Sequence, residues 1–240
     1  DAVICVSETA RRSVQAHFEV DARKLRVVHH GADHVDQVPP PDATTQHWLD
    51  AQGLDGDFLL YAGALDARKN VQLVLRAAAA LHDGGLRVPL VLAGQRWFGS
   101  GAIEAEIQAA RARGVDVRPL GYLTDSVFYA LMKRAAAFVF PSRYEGFGLP
   151  PLEAMRLGVP TVVSTEGSLP EVCADGAAQV GPDDVDGLSA LLARWLSDPG
   201  ARARQAALGS ARAATFTWAH TARQTAAVYD DVAERRYQLT

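Results

Sequence analysis

Residues 141–160 read PSRYEGFGLPPLEAMRLGVP, with Glu145 and Glu153 on either side of a Gly-Phe-Gly step and a Pro-Pro pair. Two carboxylates at this spacing could accept hydrogen bonds from the hydroxyls of one ligand, but no single helix could contain the glycines and prolines between them. Pro150 and Pro151 suit the first turn of a helix, where a missing N–H costs nothing. A helix is therefore expected from near Leu149 to Leu157, ended by Gly158-Val159-Pro160. Glu145 then stands on a loop before that helix, and Glu153 lies within its first turns. The N–H groups of Gly146, Phe147, Gly148 and Leu149 are left over, and with the helix dipole they form an anion site. On this reading the two acids take hydroxyls on either side of a bound phosphate. Taken singly, Glu153 also fits a first-turn acid that complements the dipole, and Glu145 an ordinary loop acid.

A second group of charges lies upstream, in GALDARKN at 63–70. This loop lacks the G-x-G-x-x-G of a nicotinamide-binding turn. Instead it sets Arg68 and Lys69 just before a helix, where two cations suit a phosphate-bearing ligand. A solvated pair of loop charges fits the same residues. The Asp-x-Asp pairs Asp55/Asp57 and Asp184/Asp186 raise the question of a metal, but the first lies in a polar connection and the second just before a helix, where Asp is a favoured cap. His29, His30 and His34 cluster near the same connection, and a metal role is not expected for them either. Cys5 and Cys173 sit in apolar contexts and read as reduced, buried thiols of a cytosolic protein.

The elements that must hold these groups are legible from apolar runs. Strands are expected at 57–63, 88–94, 115–121, 136–141, 160–164 and, more weakly, 177–181. Helical spacing is expected between them, as at Val71, Val74, Leu75, Ala78 and Leu81. Helices at 101–113 and 124–135, one through Leu188–Leu196, and two more at about 199–213 and 218–236 complete the pattern. Strands alternating with helices predict a doubly wound, Rossmann-like parallel α/β sheet. Gly63, Gly94, Gly121, Gly146 and Gly148 fall at the strand ends, where such folds bind ligands.

Residues 1–35 read as a separate strand-helix-strand unit, and 36–56 as a linker between it and a main domain at 57–217. The run AVICVS is a strand at the very start of the chain, so further polypeptide is expected before it. The chain has 240 residues, 48% of them apolar and 22% charged, with a formal net charge of −4, which argues against a general nucleic-acid binder. No apolar run approaches the ~18–20 residues of a membrane-spanning helix.

Together these segments resemble the C-terminal half of the GT-B glycosyltransferases of family 4, a retaining group that uses nucleotide-sugar donors. The E-x7-E pattern matches as Glu145 and Glu153 in EGFGLPPLE, flanked by AAAFVFPS, EAMRLGVPTVVS and GSLPEV. YAGALDARKN is similar to the family's phosphate loop. VICVSETARRSV and LRVVHHGAD resemble the last elements of its N-terminal domain, and FTWAHTARQTAAVYDDV its terminal helix, here 218–240, which crosses back to that domain.

The resemblance implies roles. Lys69 would pair with the donor diphosphate, helped by Arg68, and Glu145 would hold the sugar hydroxyls. Gly146, Phe147, Gly148 and Leu149 would offer backbone N–H groups, Glu153 would take the ribose, and backbone from Leu120 to Tyr122 would meet the base. Lys69 and Glu145 would be the catalytic pair, with no cofactor and no metal required. Many members carry Arg directly after the loop glycine, where this chain has Ala64. The LDARKN loop is similar to those of mannosyl-transferring members, which favours GDP-mannose over a UDP-sugar. A carbohydrate or lipid-linked acceptor would bind the missing N-terminal domain, in the cytoplasm or peripherally at the cytoplasmic face of the membrane. The chain alone would then bind nucleotide weakly and transfer no sugar. A nucleotide-sugar epimerase, a phosphorylase and a non-catalytic binding module are the alternatives.

Overall fold

The computed structural model describes residues 1–95 and 101–237, with side chains to Glu234. A short parallel pair opens the chain: β1 (Val3–Cys5), α1 (Glu8–His17) and β2 (Leu25–Val27), with Val3 opposite Leu25. The next helix, α2 (Ala43–Ala51), lies in the segment expected to be a linker. Its polar sequence hides it. The Asp42 carboxylate caps it by accepting from Thr45 N–H at 2.7 Å, and Leu49 and Leu54 drop into the main core. Residues 36–56 are therefore part of the folded body and not only a connection.

The main sheet follows as β3 (Leu59–Ala62), α3 (Val71–Asp83), β4 (Leu90–Ala93), α4 (Gly101–Ala112), β5 (Val117–Gly121), α5 (Asp125–Arg134) and β6 (Ala137–Phe140). It continues through α6 (Leu149–Arg156), β7 (Thr161–Ser164), the short α7 (Leu169–Cys173), β8 (Ala178–Val180), α8 (Val185–Ser197) and α9 (Pro199–Ala213). The final helix, α10, is Trp218–Tyr237. Among the described residues the sheet has six parallel strands in the order β5-β4-β3-β6-β7-β8. Each expected strand is present, one to three residues shorter than its apolar run.

Both faces of the sheet are covered, which is why its strands read as unbroken apolar runs. Leu59 and Tyr61 of β3 face the layer that holds Val74, Ile107 and Leu188, while Leu60 and Ala62 face the layer that holds Leu49, Leu131 and Leu152. The strand order reverses between β3 and β6, so the loops that leave these two strands diverge and open a crevice at the carboxyl edge. Those loops are 63–70 and 141–148.

The helix α10 runs back to the small unit, where Thr221 Oγ1 donates to His29 O at 2.7 Å and Arg26 pairs with Asp231 at 3.0 Å. On α10, Val228 is buried, while Trp218 and Tyr229 stay exposed. A groove of about 660 Å³ separates Asp1–Ile4 from Val228–Ala233.

Candidate anion and hydroxyl site at the switch point

The loop after β3 is tied to the loop after β6. Arg143 N–H donates to Arg68 O at 2.8 Å, and Asn70, in a left-handed conformation, donates from Nδ2 to Pro141 O at 3.1 Å. Lys69 is held by its own N–H on Asp66 Oδ1, and its ammonium lies 5.0 Å from the Phe140 ring centre. That ammonium reaches Glu145 Oε1 at 2.5 Å, with the two side chains only 16% and 13% exposed. Ser142 Oγ donates to the same oxygen at 2.7 Å, and the Arg68 guanidinium stands 3.4 Å from it. Glu145 Oε2 accepts no hydrogen bond from a described residue. One carboxylate oxygen is thus clamped by three donors, while the other meets none among the described residues. The second cation near Glu145 is Arg68, whose Nη1 also donates to Tyr144 O at 2.9 Å. Ala64 contributes only its carbonyl, to Tyr61 O–H at 3.1 Å.

The turn after Glu145 leads into α6 through a left-handed glycine. Gly148 is the N-cap of α6 at φ 100°, and a Cβ there would meet Leu169 Cδ2 at 2.7 Å, so the position requires glycine. Pro150 and Pro151 occupy the first turn behind it. The carbonyls of the turn are held from the back. Ser7 Oγ donates to Gly146 O at 2.7 Å, and Ser168 Oγ bridges Glu145 O at 3.0 Å and Phe147 O at 2.9 Å. Because a trans peptide sets its N–H opposite its carbonyl, those contacts turn the N–H groups of Gly146, Phe147 and Gly148 the other way. No described residue accepts from these three or from Leu149 N–H. Phe147 anchors the turn below, buried against Phe216 and the edge of His30.

Glu153 sits in α6 with 7% of its surface exposed. Its Oε1 accepts from Tyr129 O–H at 3.1 Å and contacts His34 Nε2 at 3.0 Å. Burial holds its carboxyl above the ordinary range against those two bonds, and the Tyr129 phenol is pushed up by burial and then by Glu153. The two acids therefore occupy different surroundings. Glu145 is tied to the cations of the 63–70 loop, and Glu153 to an aromatic and imidazole pair.

Tyr122 follows the end of β5 and is 69% exposed. Asp184 caps α8 by accepting from Gly187 N–H, and Asp57 pairs with Arg202. Ser7, Ser168, Tyr129 and Trp218 are site residues that spacing did not single out. Ser7 is an α1 N-cap signal in the sequence, but nothing local connects it to Gly146.

A Rossmann-like parallel sheet thus carries, at its switch point, free backbone N–H groups and a lysine–glutamate pair, in the crevice where folds of this class bind ligands. Residues 45–211 match the family model of the group 1 glycosyl transferases, and the chain belongs to that family. It is 39% identical over 173 residues to the O-antigen chain mannosyltransferase B of Escherichia coli, a match that covers 72% of this chain and 45% of that protein. It is 31% identical over 227 residues to the serotype-specific mannosyltransferase WbdA of Escherichia coli, covering 92% of this chain and 28% of that one. The chain thus spans less than half the length of these relatives. The crystal structure of Anabaena HepE with UDP and glucose superposes with a TM-score of 0.80 at 20% identity, over 97% of this chain and 63% of that one. The fold is of the GT-B class.

Proposed function

We propose that this chain is the donor-binding half of a retaining glycosyltransferase that moves mannose from GDP-mannose onto a carbohydrate or lipid-linked acceptor in polysaccharide assembly. The observation that carries the reading is the set of four unaccepted N–H groups at the start of α6, beside the Lys69–Glu145 pair. In the transfer an acceptor hydroxyl forms the new C1–O bond on the face the diphosphate leaves and passes its proton to the departing diphosphate oxygen. The bond from C1 to the diphosphate breaks, and the nucleoside diphosphate leaves with the electron pair. Its growing charge falls on the turn N–H groups and Lys69, with Arg68 nearby, which are fixed before the reaction begins. These groups do the work for which other enzymes use a metal, so no metal is required.

Glu145 Oε2 takes the sugar hydroxyls and Glu153 the ribose, with the base over the strand end at Leu120–Tyr122. The mannosyltransferase relatives support mannose, and the HepE complex with UDP and glucose supports a nucleoside diphosphate beside a sugar on this fold. The acceptor pocket belongs to polypeptide outside this chain, so the chain alone binds donor and transfers nothing.

Calorimetric titration of the folded chain with GDP-mannose, UDP-glucose and ADP-glucose tests the reading. Binding of GDP-mannose ahead of the other two is expected. Failure to bind any of the three would sink the site.

A further inference from the structure

Glu153 is held by a chain of contacts that reaches the last helix. Trp218 is the first residue of α10, and its indole Nε1 lies 3.1 Å from His34 Nδ1. An indole N–H only donates, so Nδ1 must accept and the imidazole proton sits on Nε2. That proton points to Glu153 Oε1 at 3.0 Å. Tyr129 O–H donates to the same oxygen at 3.1 Å. Glu153 Oε2 accepts from no described residue.

The Trp218 end of this chain is rigidly placed. Asp33 Oδ1 accepts from Trp218 N–H at 2.7 Å, and Ala32 N–H donates to Phe216 O at 3.1 Å. A Cβ on Gly31 would lie 2.1 Å from Trp218 N, so the two backbones meet where only glycine fits. The 3₁₀ turn Asp33–Gln37, which carries His34, and the start of α10 are therefore one locked corner.

We propose that His34, oriented by Trp218, is a positioning residue that fixes the Glu153 carboxylate so that one oxygen is saturated and the other is presented to a vicinal diol. This rests on the reading of Glu153 as the ribose acceptor. A carboxylate free to rotate would share its bonds between its two oxygens. Held by Oε1, it offers both lone pairs of Oε2 to two adjacent hydroxyls. The corner thereby makes the site selective for ribonucleotides over nucleotides that lack the diol.

The test uses the full 240-residue chain, titrated with GDP and UDP and with their 2′,3′-dideoxy forms. The wild-type chain is expected to bind the ribonucleotide about tenfold tighter than its dideoxy form, the worth of one good hydrogen bond to a charged group. His34→Phe should weaken the ribonucleotide to the level of the dideoxy compound and leave the dideoxy compound unchanged. His34→Gln, whose amide can still donate to Glu153, should restore most of the preference. Trp218→Phe should reduce it partway.

Equal weakening of both ligands by His34→Phe would mark a merely structural histidine and overturn the proposal, as would a preference that survives in His34→Phe. If the His34→Phe chain does not melt cooperatively, the same criterion applies to Trp218→Phe, where an undiminished preference overturns the proposal. A wild-type chain that binds ribo and dideoxy forms equally would instead overturn the assignment of Glu153 to ribose, and the positioning role with it. A wild-type chain that binds neither GDP nor UDP would overturn the donor site as a whole.

Discussion

Lys69 and Glu145 stabilise each other before any ligand arrives, and their partners are unequal. Glu145 keeps Ser142 and Arg68 when Lys69 is removed, whereas a diphosphate bound as proposed would lose a cation. Lys69→Met is therefore expected to weaken GDP-mannose binding by about ten- to a hundredfold, the range of a hydrogen bond to a charged group. Its melting temperature should fall only modestly. Calorimetry beside a thermal melt separates the two effects, and a variant with unchanged affinity would remove Lys69 from the site.

Glu153 behaves differently, because burial raises its carboxyl pKa above the unfolded value. Below the unfolded value both states hold the proton. Between the two values the folded state holds more, so stability falls as pH rises, and above the folded value the loss is complete. Glu153→Gln removes that part of the slope. Relative to wild type, the variant should gain stability as pH rises from about 4 toward neutrality, while losing ribonucleotide affinity. Parallel melting curves for the two proteins across that range would count against a raised Glu153.

At the scale of elements, the anion turn depends on a single backbone conformation. Gly148→Ala meets both a positive φ and the Leu169 side chain, so a loss of about 1–3 kcal/mol and of donor binding is expected in chemical denaturation and titration. The helix α2 gives a second test. Leu49 is buried in the main core, and Leu49→Ala should cost about 2–5 kcal/mol, whereas a residue in a mere linker would cost little.

That contrast shows what the sequence could and could not reveal. LLYA, LVLA, AFVF and TVVS are apolar on both faces, so the strands β3, β4, β6 and β7 are legible as runs and their alternation with helices gives the sheet. The break at Gly148 and the prolines behind it are equally local. The helix α2 is not legible, because its polar residues outnumber the two leucines that fix it and its cap is a lone Asp42. Ser7 behind Gly146 and His34 behind Glu153 are hidden for another reason. Their partners lie 139 and 119 residues away, and only the folded crossover brings them together.

For the molecule as a whole, the small unit and the main sheet are knit rather than merely tethered. Glu171 of α7 accepts from Glu8 N–H at 2.8 Å and Thr9 N–H at 3.0 Å at the start of α1, and from His29 Nε2 at 3.1 Å. These bonds, above all the backbone one from Glu8, hold its carboxyl below the ordinary range in spite of its burial. The interior is correspondingly closed to reagents. Burial pushes the Cys173 thiol up to about 12 and raises that of Cys5. Both thiols should resist a disulfide reagent at neutral pH until the chain unfolds, and rapid labelling of Cys173 in the native protein would contradict the packing around α7.

The serine that holds Gly146 from behind has a consequence for recombination. Ser7 belongs to the small unit and its acceptor to the turn before α6, so the seam between the two units runs through the proposed binding site. Splicing residues 36–240 onto the corresponding unit of another family member would exchange the residue that orients the Gly146–Phe147 peptide. Such a hybrid should keep its donor affinity only where the incoming unit brings a hydroxyl to that place. Partners that can be shuffled across this seam are thus restricted by one side chain on the side that the donor does not touch.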